Sequence, residues 1–274
     1  VFGRYSEANR APTAAELSCA DPAEPCRVPN AFVSDPLLKQ PVARSFELGA
    51  RGRVDGGVMG DVVWEVAGYR TRIRDDIIFV ASPRLIGTGY FQNAGDTDRV
   101  GVDLTLSGRM NRFDWYASYA AVEATFDSPL VLPSNPEVND AASEDGELRV
   151  VPGDRIPSIP RHSLKAGIRH DLTGLWDVAV EALVASSQVF RGDEGNDQSQ
   201  LDGYGVINLR SAYAASDRLE LFVMVHNLLD QDYATFGVLA EVEIDLAEAP
   251  GADDPRFVSP GVPRSAFVGF RVRF

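Results

Sequence analysis

Ser265-Ala266-Phe267-Val268-Gly269-Phe270-Arg271-Val272-Arg273-Phe274 is the stretch whose pattern decides the fold. Successive side chains of an extended strand point to opposite faces. Ala266, Val268, Phe270, Val272 and Phe274 therefore share one face, and Ser265, Phe267, Gly269, Arg271 and Arg273 the other. The same period of two recurs back along the chain. Val100, Val102, Leu104 and Leu106 alternate with Arg99, Gly101, Asp103, Thr105 and Ser107. Leu164, Ala166 and Ile168 interleave with Lys165, Gly167 and Arg169, and Leu209, Ser211 and Tyr213 oppose Asn208, Arg210 and Ala212. Leu219, Leu221, Val223 and Val225 oppose Glu220, Phe222, Met224 and His226. Alternation is poorer over 62–78 and 115–126, which predicts bulges there.

Working outward gives strands near 1–7, 43–53, 61–80, 89–109, 113–126, 161–171, 175–190, 203–215, 218–236 and 265–274. Short Gly-, Asp-, Asn- and Ser-bearing turns at 54–60, 110–112, 172–174 and 216–217 take turns with long connections at 8–42, 81–88, 127–160, 191–202 and 237–264. Unstructured loops of that length are unusual in a compact domain. Short turns on one side and long loops on the other fit an antiparallel transmembrane β-barrel with short periplasmic turns and long extracellular loops.

Composition agrees. The 274 residues are 45% hydrophobic and carry a net charge of −14, with two cysteines. An acidic chain repels phosphate, so nucleic acid is not an expected partner. No run approaches about 18 uninterrupted apolar residues, which excludes a membrane helix and leaves strands untouched. Windows 8–42, 81–97, 127–160, 191–202 and 237–264 together hold −13 of the −14 charges. The acidity thus belongs to the loops. A soluble sandwich shares the period, but not strands bearing Asn208, Arg210, Arg271 and Arg273 joined alternately by tight turns and very long loops. Phe113, Trp176, Tyr213 and Phe274 near the short turns, with Phe126, Phe190 and Phe236 near the long loops, predict two interfacial girdles.

Several segments, in order, resemble the barrel of TonB-dependent outer-membrane receptors. Arg10-Ala11-Pro12-Thr13 with Glu16-Leu17, and Glu47-Leu48-Gly49 with Arg51-Gly52, are similar to the family's early strands. Gln92-Asn93-Ala94-Gly95 with Gly101-Val102-Asp103, then Asn227-Leu228-Leu229-Asp230 with Tyr233-Ala234, continue the series. Asp103 stands where Glu is usual, and Leu229 where Phe is commoner. The resemblance implies all-β architecture: about ten C-terminal strands of a roughly 22-stranded plugged barrel. Val1 is not an initiator Met, and Phe274 ends inside a strand pattern. Residues 1–274 are therefore expected to be the C-terminal portion of a longer receptor, without its plug domain and first barrel half.

The family resemblance implies an outer-membrane location in a Gram-negative bacterium. It also implies active uptake of a scarce ligand, a ferric siderophore or other iron complex foremost. Expected partners are TonB, contacted through a TonB box in the N-terminal part, lipid and lipopolysaccharide, the barrel-assembly machinery and the ligand. Phe270, Val272 and Phe274 are the expected assembly signal, and loops 8–42, 127–160, 191–202 and 237–264 the expected ligand-binding region. The alternative is a non-transporting barrel with an adhesin or structural surface role.

Cys19 and Cys26 flank six residues including two prolines, a spacing that fits a disulfide; free thiols are the alternative. A metal site there falls short of four ligands, and no cofactor is expected. The acidic clusters at 137–147 and 241–254 read as solvated loop surface. Asp103, Lys165, Arg169, Glu181, Arg210, Glu220, Arg271 and Arg273 read as lumen-facing groups paired across strands, Glu220 with Arg271 or Arg273. An outer-membrane protease needs an Asp/His pair near the extracellular lip, but His226 sits deep in its strand, His170 lies at the short-turn end and His162 has no recognisable acidic partner, so an enzyme is not expected.

Overall fold

The computed structural model describes residues 1–19, 21, 38–57, 60–81, 89–242 and 253–274. Period-two sequence becomes strand almost throughout. The strands are β1 (Phe2–Asn9), β2 (Val42–Gly57), β3 (Gly60–Arg74), β4 (Ile77–Ala81), β5 (Gly89–Asn93), β6 (Thr97–Met110), β7 (Phe113–Phe126) and β8 (Leu130–Pro133). They continue with β9 (Glu147–Val150), β10 (His162–Asp171), β11 (Trp176–Ala185), β12 (Tyr204–Ala214), β13 (Leu219–His226), β14 (Ala234–Leu239), β15 (Arg256–Pro260) and β16 (Ser265–Val272). One short helix, α1 (Ala14–Ser18), follows β1. Among the described residues no helix is long and apolar enough to cross a membrane.

Ten strands form one antiparallel sheet in the order β1-β2-β3-β6-β7-β10-β11-β12-β13-β16. Every wall neighbour is the next wall strand in sequence, as a meander of alternating short and long connections requires. The sheet does not close: β1 and β16 are its two edges.

Register carries one face assignment across the whole wall. Glu47 pairs with Tyr69, Tyr69 with Gly101, Gly101 with Val122, and Ser118 with Lys165. Gly167 then pairs with Glu181, Glu181 with Asn208, Arg210 with Met224, and Glu220 with Arg271. All of these side chains therefore share one face. The opposite face presents Phe46, Leu48, Val100, Val102, Ile168, Val184, Leu221, Val268 and Phe270, all exposed. On β6 this apolar face runs from Val100 to Met110. Ten residues at about 3.3 Å rise, tilted by roughly 40°, span about 25 Å, the height of a barrel's lipid-facing band.

The structure corrects several boundaries. The expected strand 61–80 is broken at Asp75, whose φ is 52°, and 89–109 is broken after Asn93. β4 and β5 therefore form a separate hairpin beyond the wall. The strand expected to reach 190 stops at Ala185, and that expected to reach 236 stops at His226. Loops 127–160 and 237–264 contain the hairpins β8–β9 and β14–β15. The bulge expected within 115–126 is absent, since β7 pairs without a shift along both neighbours. Its alternation is weak because its inner face carries Ala120, Val122 and Ala124, which are as apolar as its outer face. The wall's register shift lies between Val54 and Gly57 instead.

Candidate functional site

The charged face of the wall is concave and lines a cavity of about 860 Å³ bordered by Arg53, Asp114, Tyr116, Arg169, Glu181, Arg210 and His226, among others. Charged side chains there pair across strands. Lys165 Nζ lies 3.1 Å from Glu181, and Tyr116 Oη also donates to that carboxylate. Arg169 lies 3.2 Å from Asp177. Arg271 and Arg273 approach Glu220 at 3.2 and 3.8 Å, with Arg210 at 3.9 Å. These residues stand on the predicted face, and Glu220 has the partners anticipated for it. Exposed pairs of this kind contribute about 0–1 kcal/mol each, so their consequence is a polar, water-tolerant inner surface.

Above the wall the long loops pack into a layer of their own. Val80, Tyr90, Ala94, Phe126, Leu132 and Val150 form one buried cluster, and Phe190, Leu201 and Leu239 a second. Arg191 joins three loops: its guanidinium lies 4.8 Å from the Phe79 ring centroid, and its backbone pairs with Gly237 and Leu239. Asn139 and Asp193 are fully buried together. Asp193 accepts from the backbone N–H groups of Asp197 and Gln198 at 3.0 and 3.1 Å, while Asn139 donates to the Gly192 carbonyl at 3.1 Å. Burial pushes the Asp193 carboxyl above its ordinary value, and Glu194 likewise. Loops 127–160 and 191–202 are thus tied through buried polar groups, whose loss costs about 1–3 kcal/mol each.

The motif residues divide between staples of this layer and close contacts within the wall. Thr13 caps α1 and completes a capping box with Glu16. Arg10, two residues before Pro12, donates to both Glu16 carboxylate oxygens at 2.6 and 2.7 Å. That hydrogen bond holds the Glu16 carboxyl below the usual range. Asn93 donates to the Asp75 and Lys39 carbonyls at 2.7 and 3.0 Å, closing the break that makes β4–β5 a separate hairpin, and Gly95 takes φ +76° in the same junction. Gly49 and Gly101 receive the rings of Phe2 and Tyr69 from directly opposite positions, and Glu47 lies 3.3 Å from Arg4. Asn227 is buried and donates to the Gln231 and Val262 carbonyls at 2.8 and 3.2 Å. Asp230 pairs with Arg264 at 3.0 Å, and Tyr233 Oη accepts from the Val262 N–H at 3.2 Å. The β13 exit is thereby fastened to the segment that enters β16.

Cys19 is buried and disulfide-bonded; Cys26 lies outside the described residues, as does most of the acidic stretch 241–254. Phe270 and Val272 are exposed on the convex face of β16, with Phe274 just beyond its end. His162 stacks near Tyr119, His170 on Phe113 at 3.9 Å, and His226 lies edge-on to Phe267. Among the described residues no group of His, Cys, Asp or Glu could hold a metal. The outer girdle read from Phe126 and Phe190 is incorrect. Both are at least 96% buried in the loop layer, because Phe126 shares the inner-face parity of Ala124 and Phe190 falls after β11 has ended. Among the described residues, Tyr5 and Phe46 are outward aromatics on that side, at 64% and 59% exposed.

Residues 1–228 match the family described as TonB dependent receptor-like, beta-barrel. The pesticin receptor of Yersinia enterocolitica (serotype O:8 / biotype 1B) is 22% identical over 196 residues, covering 71% of this chain and 25% of that receptor. The chain therefore spans about a quarter of the curated relatives it matches. Among solved structures, the copper transporter OprC superposes with a TM-score of 0.67 at 19% identity, over 99% of this chain and 36% of that one. The ferric yersiniabactin uptake receptor FyuA from Yersinia pestis does so at 0.64 and 17% identity, over 99% of this chain and 34% of that one.

Proposed function

We infer the role from the premise that the match supplies: this chain belongs to the TonB-dependent receptor-like β-barrel family. It forms ten wall strands of a Gram-negative outer-membrane receptor. The intact receptor takes up a scarce ligand with energy delivered through TonB, and an iron complex such as a ferric siderophore is the leading cargo. Residues 1–274 are the C-terminal part of the barrel, and the remaining strands, the plug and the TonB-contacting segment belong to the rest of the receptor. No catalytic step belongs to this reading.

One observation carries it. A sheet whose outer face carries a broad apolar band has an inner face of paired charges and an unclosed edge on each side. In lipid every backbone polar group must be satisfied internally, so the free edges of β1 and β16 call for further strands. The loop layer supports a ligand-facing role for 8–42, 127–160, 191–202 and 237–264. Its described residues present a preformed surface over the lumen. Relatives supply the cargo classes: one structural neighbour is a copper transporter and another a ferric yersiniabactin receptor.

The test is uptake in cells. A strain lacking the intact receptor is complemented with wild type and supplied with radiolabelled iron complexes and, separately, copper. The expected result is accumulation of an iron complex that needs both the receptor and TonB. Accumulation of copper alone would replace the cargo. Binding to host surfaces with no TonB-dependent uptake would favour the adhesin role.

A further inference from the structure

Met224 and His226 stand two residues apart at the loop-side end of β13, on the inner face that Glu220 shares. A rise of about 3.3 Å per residue sets their Cα atoms about 6.6 Å apart with both side chains pointing the same way. Both border the cavity of about 860 Å³. Of the other methionines, Met59 lies outside the described residues and Met110 pairs with Phe113 on the outward face. His162 and His170 have the outward parity of Leu164 and Ile168, and one ring nitrogen of each is engaged. His162 Nδ1 lies 2.8 Å from Tyr119 Oη, and His170 Nδ1 lies 3.4 Å from the Arg112 carbonyl. Among the described residues, Met224 and His226 are therefore the single inward methionine and the single inward histidine.

The His226 ring meets Phe267 edge-on at 5.7 Å, and among the described residues neither of its nitrogens has a hydrogen-bond partner. Directly opposite His226 is Ser265, whose hydroxyl is buried and likewise without a partner. The backbone beneath is fixed, because the next residue, Asn227, is bonded to Asn208, Gln231 and Val262. A thioether selects soft ions, and an imidazole suits zinc, copper, iron and nickel; copper is common to both. Local charge selects its oxidation state. Arg210 stands directly opposite Met224, and the inward carboxylate of β13, Glu220, is shared among Arg210, Arg271 and Arg273. A cationic neighbour with no spare carboxylate opposes a divalent ion more than a monovalent one.

We propose that Met224 and His226 form a binding site for a cuprous ion on the lumen wall. The inference rests on the lumen-facing placement of this face and goes beyond the iron-complex reading, which it leaves untouched. Two protein ligands hold the ion loosely enough to pass it on, as a site on a conduction path must.

The intact receptor in detergent is titrated anaerobically with Cu(I) buffered by bicinchoninate, and separately with Zn(II). The expected result is one Cu(I) per receptor, bound about 10–100-fold more weakly by Met224→Leu and by His226→Gln and equally well by His170→Gln. X-ray absorption of the loaded receptor should show one sulfur and one imidazole nitrogen on the copper. Met224→Leu conserves volume, and TonB-dependent uptake of an iron complex by cells carrying it should match wild type, which separates loss of the ligand from loss of the fold. Cu(I) binding unchanged by both substitutions, or a copper shell without sulfur, would overturn the site. Tighter binding of Zn(II) than of Cu(I) would assign the imidazole to a divalent ion and also overturn it. Absence of Cu(I) binding in a receptor that still takes up the iron complex would overturn the site and leave the transport reading standing, whereas absence of uptake in wild type is the failure of that reading.

Discussion

Asn227 reaches 35 residues along the chain to hold Val262, donating to its carbonyl at 3.2 Å while also closing its own turn on Gln231. The residue takes a φ of 48°, a left-handed conformation that Asn tolerates better than most side chains. Asn227→Ala removes three buried hydrogen bonds and the conformational preference at once. The expected cost is about 2 kcal/mol. Hydrogen exchange in the intact receptor checks it, with faster exchange confined to 228–234 and 260–264.

The two faces of β6 differ by one residue in sequence. Leu104→Arg puts a charge on the lipid-facing side near the middle of the apolar band, where it costs about 2–4 kcal/mol. Thr105→Arg places the same charge on the inner face and is expected to be nearly neutral. Urea-unfolding midpoints in bilayers separate them. Equal effects would contradict the register.

Glycines on the inner face make room for rings on the facing strand. A Cβ at Gly167 would lie 2.5 Å from the Tyr116 ring, directly opposite it. Gly167→Ala is therefore expected to destabilise by about 1–3 kcal/mol through overpacking. Combined with Tyr116→Ala, its cost falls to a few tenths. A double-mutant cycle measures the coupling.

Two loop carboxylates predict opposite pH responses. Arg10 holds Glu16 below its ordinary value of 4.5, so the charged form favours the folded helix. That stability is present above about pH 4.5 and is lost as pH falls through the lowered folded value. Burial raises Asp193 above 3.8, so its protonated form is the one favoured in the fold. That contribution is present below the ordinary value and lost as pH rises through the raised one. Exchange protection measured across acid pH should fall at 13–19 on acidification and rise at 193–198.

Much of the wall was legible because lipid on one side and water on the other impose a strict two-residue period on β6, β10, β12, β13 and β16. The loop layer was less legible. Glu147-Leu148-Arg149-Val150 does alternate, and Leu148 and Val150 are each only 1% exposed, but four residues inside an acidic stretch give too short a pattern to outweigh the charge. Phe126 was misassigned by nearness to a strand end, although its parity with Ala124 places it inside. Thr13 and Glu16 carried a capping-box spacing in plain view. Asn93 and Asn227 carried no such local signal, since the carbonyls of Lys39 and Val262 that they hold are distant in sequence.

The central claim is that these ten strands form a membrane wall with lipid on one face and an aqueous lumen on the other. Single nitroxide labels placed from 99 to 107 in the intact receptor, reconstituted in bilayers, test it most directly. Oxygen accessibility should peak at 100, 102, 104 and 106, and accessibility to a water-soluble nickel complex at 99, 101, 103, 105 and 107. A pattern without period two, or water access on both faces, would contradict the account.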